Sequence, residues 1–355
     1  MTVTLLVVLL LVFIVSLFLT PVIIKFAYKI GAVDKPNYRK VHQKVMPRIG
    51  GLTIFLSFLI GVFILRPESP DLLPILAGAF VIIIIGIIDD ITELSALYKL
   101  LGQSFAAVIV ISSGLYMQMI TLPIIGPVEL GTIGIPLTFL WIIGVTNAIN
   151  LIDGLDGLAA GVSSIVLVGI ATIAFLDGHL FIFTITTLLL FSILGFLPYN
   201  FFPAKVFMGD TGALFLGFML SVISLLGFKG VTLFSIIIPI VILGVPISDT
   251  LFAIIRRVVN KKKLSAPDKS HLHHCLLRNG FSHRNTVLMI YLLSTFFMIS
   301  AILLSQATFA GALLIVFVVL FVTEIVAEKV GLLDMKFTPL LNLIDKTMHG
   351  RRRLG

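Results

Sequence analysis

Charge is scarce in this chain. Only 12% of its 355 residues are Asp, Glu, Lys or Arg, about half the share of a soluble domain, which excludes an ordinary water-facing surface. Cysteine is limited to Cys275, so no internal disulfide can form and paired-cysteine metal spacing is absent. Set in HLHHCLLRNG, that thiol reads as buried or solvated rather than as a ligand. There is no HExxH and no GxxxxGK[ST] phosphate loop, which removes the usual zinc-protease and nucleotide-loop signatures. Pro- or Ser-rich linkers and visible internal repeats are also missing, so a single integral domain is the economical organisation.

What is abundant is apolar surface. Hydrophobic residues make up 59% of the chain and the mean hydropathy is +1.17, which defines an all-α, polytopic integral membrane protein. Stretches able to span a bilayer can be drawn about eleven times, at 4–24, 50–65, 72–88, 100–119, 132–149, 158–176, 179–198, 213–228, 231–252, 287–305 and 309–326. With the N-terminus outside, 23 of the 25 Lys and Arg residues fall on the inner side, and only Arg66 and Lys229 fall outside. The positive-inside rule then also places the C-terminus in the cytoplasm. No basic residue precedes the first span, and Lys25 and Lys29 follow it, the reverse of a cleavable signal peptide. Residues 1–327 are expected to form the membrane domain and residues 328–355 a basic cytoplasmic tail ending HGRRRLG. The net charge of +8 fits loops lying against an anionic lipid bilayer. No nucleic-acid partner is expected, because no binding motif accompanies the charge.

The polar patches that interrupt this chain carry its chemistry. NAINLIDGLDGL sets Asn150, Asp153 and Asp156 three residues apart, and a carboxylate in mid-bilayer costs about 2.5–3.5 kcal/mol even on the lenient insertion scale. In GIIDDITELSALYKLLGQ, Asp89 and Asp90 adjoin at the end of an apolar run and Lys99 follows nine residues after Asp90. Two adjacent acids repel unless a cation compensates; the competing reading is a solvated helix end. Asp210 stands in GDTG ahead of another apolar run, suited either to a hard cation beside a phosphate or, with Thr211, to capping a helix.

The longest inner loop clusters His271, His273 and His274 among Lys269, Arg278 and Arg284. Basic neighbours favour an anion over a transition metal, and a helical run would turn His271 and His274 the same way. DKPNYRKVHQKVMPRIGGL is a headgroup anchor or a substrate loop whose Gly50 and Gly51 permit close backbone approach. Acids for a divalent cation and basic groups for phosphates, all beside lipid, point to phosphoryl transfer onto a membrane lipid.

At these residues the chain resembles the polyprenyl-phosphate N-acetylhexosamine-1-phosphate transferases. MPRIGG, IIDD, NAINLIDGLDGLAAG, VFMGDTGALFLG and SAPDKSHLHH occur in that family's order between about Lys35 and Arg284. The resemblance implies a bacterial plasma-membrane enzyme with a cytoplasmic active site, in which undecaprenyl phosphate attacks the β-phosphate of a UDP-amino sugar with Mg2+ as cofactor. It matches Asp210 to a magnesium ligand, Asp89 to the acid that deprotonates or positions the lipid phosphate, and Asp90 to support of magnesium or phosphate. Asn150, Asp153 and Asp156 fall on the nucleotide side, with Asp156 matched to uracil, while Lys99, His271, His273 and His274 fall to phosphate contacts.

Leu272 splits a histidine run that is unbroken in the muramoyl-pentapeptide branch. That favours transfer of GlcNAc-1-phosphate from UDP-GlcNAc, most like the enzymes that start wall teichoic acid linkage units. The alternatives are phospho-N-acetylmuramoyl-pentapeptide transfer, a noncatalytic lipid-binding scaffold, and an ion-coupled secondary transporter suggested by Pro246 and Asp249 in GVPISDT. Oligomeric state is open, a homodimer included.

Overall fold

The computed structural model describes residues 3–34, 45–122, 126–227, 236–262, 268 and 270–332. Among them are thirteen α-helices and two short antiparallel strand pairs. Eight helices are long and apolar enough to cross a membrane: α1 (Val3–Ile30), α3 (Leu72–Thr92), α5 (Gly134–Ile152), α6 (Leu158–Leu176), α7 (Leu180–Asn200), α8 (Gly209–Gly227), α12 (His283–Ser305) and α13 (Phe309–Val330). Two shorter apolar helices, α2 (Gly51–Leu65) and α4 (Ala96–Ser112), complete ten of the eleven stretches drawn from hydropathy. Residues 333–355 of the expected basic tail, and residues 35–44 of the first loop, lie outside the described residues.

The remaining stretch, expected as one span over 231–252, is not one helix. Residues 228–235 lie outside the described residues, and from there the chain forms α9 (Ile237–Ile242) and α10 (Gly244–Val259), broken at Leu243. Pro246 lacks the N–H that a continuing helix would need, and Gly244 sits where a Cβ would run into the Phe297 ring. Helix α10 extends seven residues beyond the expected end. It buries Pro246, Asp249, Ala253 and Arg256, a three- and four-residue spacing that makes a single stripe.

Helix α8 is the hub. In its apolar window 83% of residues are buried, against 11% in α13, so α8 is enclosed by protein and α13 presents its sides to lipid. Small residues make this enclosure possible: Gly51 of α2 meets the backbone of Gly212, and Gly86 of α3 meets the backbone of Thr211. Where both surroundings and side chains are apolar, backbone approach of this kind is what fastens helices.

The strand pairs belong to the loops. β1 (Val33–Asp34) pairs with β2 (Met46–Pro47), and β3 (Met119–Leu122) pairs with β4 (Gly126–Glu129). The backbone after β2 continues pairing with the entry to α8: Phe207 N–H donates to Pro47 O, and Gly50 and Gly51 N–H donate to Phe207 O and Met208 O. MPRIGG and VFMGD therefore form one rigid edge beside the N-terminus of α8.

Candidate functional site

The acids at the end of α3 and the start of α8 form a joint. Asp90 is 3% exposed, and its carboxylate accepts the N–H groups of Asp210 (3.0 Å) and Thr211 (2.9 Å) and the Thr211 hydroxyl (2.6 Å). An anion at a helix N-terminus meets unsatisfied N–H donors and the positive end of the dipole. The cap on α8 therefore comes from another helix, and neither Asp210 nor Thr211 caps it. Gly209, with φ +72°, turns the chain so that its own Cα faces Arg48 O and Asp90; a side chain there would open the joint.

Asp89, one residue earlier, faces elsewhere. Its Oδ1 accepts Leu94 N–H at 2.7 Å, and its Oδ2 lies 2.5 Å from Lys99 Nζ. Lys99 also reaches Asp210 at 3.5 Å, so the lysine at the start of α4 compensates both acids. Asp210 takes a further hydrogen bond from Asn150 Nδ2 (2.6 Å), which draws in the end of α5, and its carboxyl lies within hydrogen-bonding reach of Asp89. Arg48 of MPRIGG closes the cluster, 3.6 Å from both Asp90 and Asp210 and 3.7 Å from Glu93.

Asp153 ends α5, just beyond the helix. Burial, reinforced by the negative charge of Asp210, Asp90 and Asp156, pushes its carboxyl up to about 8. Asp156 uses its carboxylate to accept Ala204 N–H (2.9 Å) while its own N–H donates to His283 Nε2 (3.0 Å). The Phe202 ring stacks on His283 at 4.6 Å. The NLIDGLDG turn is also held from α12, where the Tyr291 hydroxyl donates to Gly157 O at 2.5 Å.

The histidines do not follow helical spacing. His271 is the extended residue before α11 (Leu272–Arg278), so it does not share a helix face with His274. Instead the rings of His271 and His273 lie parallel at 6.1 Å, and His274 lies 4.1 Å from His273. His271 Nδ1 bonds Asp249 Oδ2 at 2.9 Å. His273 packs its ring on the Cα of Gly154, which joins the late loop to NLIDGLDG. Burial, then the neighbouring His274, pushes His273 down to about 3, so its ring is neutral in the physiological range. Cys275 is buried; its thiol donates to Ser270 O and accepts from Arg278, and burial pushes it up.

Asp89, Asp90, Lys99, Asn150 and Asp210 thus make one contact network, with Asp153 beside it and Asp156 and His273 at its rim. Arg48 and Asp249 are structural members that sequence reasoning did not place in the site. The ion-paired MPRIGG arginine was concealed among the basic residues of its loop, and nothing in the position of Asp249 along the chain signalled its bond to His271.

Fold and site define an integral membrane protein that gathers carboxylates and cations at one end of its helix bundle. Residues 72–228 match glycosyl transferase family 4. Over 334 residues the chain is 53% identical to the Bacillus subtilis (strain 168) protein named "Probable undecaprenyl-phosphate N-acetylglucosaminyl 1-phosphate transferase", covering 92% of this chain and 93% of that one. It is 36% identical over 312 residues to the decaprenyl-phosphate N-acetylglucosaminephosphotransferase of Mycobacterium leprae (strain TN), covering 79% and 78%. It is also 34% identical over 275 residues to the undecaprenyl-phosphate alpha-N-acetylglucosaminyl 1-phosphate transferase of Thermotoga maritima, covering 75% and 79%. The chain belongs to glycosyl transferase family 4.

Proposed function

We propose that this protein is the membrane phosphotransferase that moves GlcNAc-1-phosphate from UDP-GlcNAc to undecaprenyl phosphate, giving undecaprenyl-diphospho-GlcNAc and UMP. The observation that carries the reading is the 53% identity, sustained over nearly the whole of both chains, to a relative named for that transfer. The names of the mycobacterial and Thermotoga relatives also specify N-acetylglucosamine, which favours this donor over a muramoyl-pentapeptide one and favours a transferase over a transporter. In this reading the product begins a cell-wall polymer of the teichoic acid type, and the site faces the cytoplasm of a bacterial plasma membrane.

The chemistry of the cluster supports a divalent cation. Among the described residues, Arg48 and Lys99 are the cations that contact Asp89, Asp90 and Asp210, and Asp153 adds a fourth carboxyl beside them, an oxygen-rich donor set of the kind a hard cation takes. Among the described residues no three His, Cys, Asp or Glu side chains form a ready metal cluster. Mg2+ asks for less, since it takes one or two protein carboxylates and completes its shell with phosphate oxygens and water. Asp210 is the residue proposed to hold it. When bound, the ion would neutralise the diphosphate and its leaving group.

The side chains divide the remaining work. Lys99 and Arg48 offer positive charge where the donor's phosphates must sit. Asp89, tethered by Leu94 N–H and Lys99, takes the proton of the acceptor phosphate or orients that phosphate. An oxygen of that phosphate forms a bond to the β-phosphorus, the bond from this phosphorus to the bridging oxygen breaks, and UMP leaves with that oxygen. Asp90 acts by fixing the start of α8 and hence the Asp210 carboxylate. Asn150 orients Asp210, Asp153 and Asp156 form the nucleotide side with Asp156 nearest the base, and the histidine loop closes over the phosphates.

The test is UMP release by the purified full chain in detergent with undecaprenyl phosphate and Mg2+. Turnover is expected with UDP-GlcNAc and not with UDP-MurNAc-pentapeptide, and chelation should stop it. Release from the muramoyl donor alone would overturn the assignment.

A further inference from the structure

Asp249 lies on α10 and is 2% exposed. Its two oxygens are divided between consecutive residues of another element: Oδ2 meets His271 Nδ1 at 2.9 Å, and Oδ1 accepts Leu272 N–H at 2.7 Å. One carboxylate therefore caps the entry to α11 and grips the side chain of the residue just before it. Two turns further along the same stripe of α10, Arg256 bonds Asp268 at 2.7 Å and the backbone oxygen of Leu332 at 2.5 Å. Although burial works against it, these bonds to Arg256 and Ser270 N–H hold the Asp268 carboxyl below its ordinary value. Helix α10 thus clasps the histidine loop at two points.

The geometry points to Asp249 as a positioning residue that sets the orientation and tautomer of His271, with the Nδ1 proton directed to the carboxylate and Nε2 left bare to accept a hydrogen bond from a protonated oxygen of the phosphate. The nitrogens of an imidazole are not equivalent, and the hydrogen bond made by one decides what the other can do. A bare histidine loop would let the ring rotate. Here the cap on Leu272 N–H and the bond to Nδ1 share one buried carboxylate, so the ring and the start of α11 are referred to the same point of α10. His273, stacked parallel to His271 and seated on Gly154, carries the same alignment to the NLIDGLDG turn. The histidine loop is therefore registered to the nucleotide side through α10. This inference rests on the proposed phosphate contact of His271.

A double-mutant cycle separates the two. Asp249→Asn retains an oxygen for Leu272 N–H, but it turns an amide donor toward Nδ1 and so drives the ring proton to Nε2. Measured as UMP release from UDP-GlcNAc and undecaprenyl phosphate, Asp249→Asn and His271→Gln should each lower kcat about 10- to 100-fold, the range for lost orienting partners. The double variant should be no worse than His271→Gln alone. Additive losses would overturn the positioning role while leaving the His271 contact standing. A His271→Gln variant with full activity would overturn both.

The tautomer is tested without activity and without altering Asp249. Ring-15N spectra of the wild-type protein, with the His271 signals assigned by their loss in His271→Gln, should show a protonated Nδ1. A bare Nδ1 would refute the proposal even if the Asp249 variant failed to fold.

Discussion

Adjacent acids in this site have separate duties because successive residues of a helix point about 100° apart. Asp90 spends its lone pairs on the first turn of α8, whereas Asp89 and Asp210 share Lys99 and remain close enough to hydrogen-bond one another. Asp210→Asn should therefore leave the fold intact, since Asp90 and not Asp210 caps α8, yet lower Mg2+-dependent UMP release about a hundredfold or more, the scale of losing a charge-stabilising group. Near-wild-type turnover at low Mg2+ would remove Asp210 from the cation site. Asp153 gives a prediction about stability. Its carboxyl titrates at about 8 in the folded protein against 3.8 as the ordinary value. Between those pH values the folded chain holds a proton that the unfolded chain has released, so the residue's contribution to stability declines as pH rises through that window. In metal-free detergent solution, Asp153→Asn should raise the thermal midpoint relative to wild type increasingly from pH 5 to pH 8. A gap independent of pH would show that Asp153 is not held neutral.

Elements transmit these residue positions, and their contacts were only partly legible in the sequence. Apolar runs near 20 residues announce themselves, so ten helices fall close to their expected places. A break such as that at Leu243 does not, because hydropathy is blind to φ and ψ and the residues on both sides of it are apolar. Charge in an apolar chain is conspicuous, which is why Asp89, Asp153 and Asp210 could be picked out; the partner each one faces depends on helix rotation, which spacing alone leaves open. Arg48 was lost among the basic residues of its loop, and the extended conformation of His271 defeated an argument that assumed a helix through it. The same dependence on rotation makes the α3–α8 crossing sensitive. At Gly86 a Cβ would press on the backbone of Thr211, 2.8 Å from its nitrogen and 3.0 Å from Asp210 O. Gly86→Ala should cost about 1–3 kcal/mol through overpacking and reduce turnover as Asp90 is pushed off the start of α8. Gly144→Ala is the matched control, since nothing lies within 4 Å of its Cβ. It should be neutral or stabilise by about 0.5–1 kcal/mol through helix propensity. Equal midpoints for the two variants would refute the close-approach account.

The whole molecule brings to one end the C-terminal ends of α3 and α5, the N-terminal ends of α4, α8 and α12, and the short α11. That convergence is what alternating helix direction produces, and it places the acids, Arg48, Lys99 and the histidines on a common face. Which face this is depends on charge. Of 25 Lys and Arg residues, 23 belong to that side in the orientation drawn from sequence, and an inverted chain would have to oppose the bias that basic loops impose during insertion. In a Cys275→Ser background, single cysteines at the exposed positions Thr92 and Asn279 should resist a membrane-impermeant thiol reagent in intact cells and react once the membrane is opened. Cysteines at exposed Glu68 and His179, in loops at the opposite end, should react in intact cells. The two pairs test different things. Failure of Glu68 and His179 to label would question the orientation alone, but labelling of Thr92 from outside and Asn279 from inside would separate the α3 acids from the histidine loop. A shared site could not survive that split, because a donor present on one side of the membrane would reach only one half of its proposed contacts.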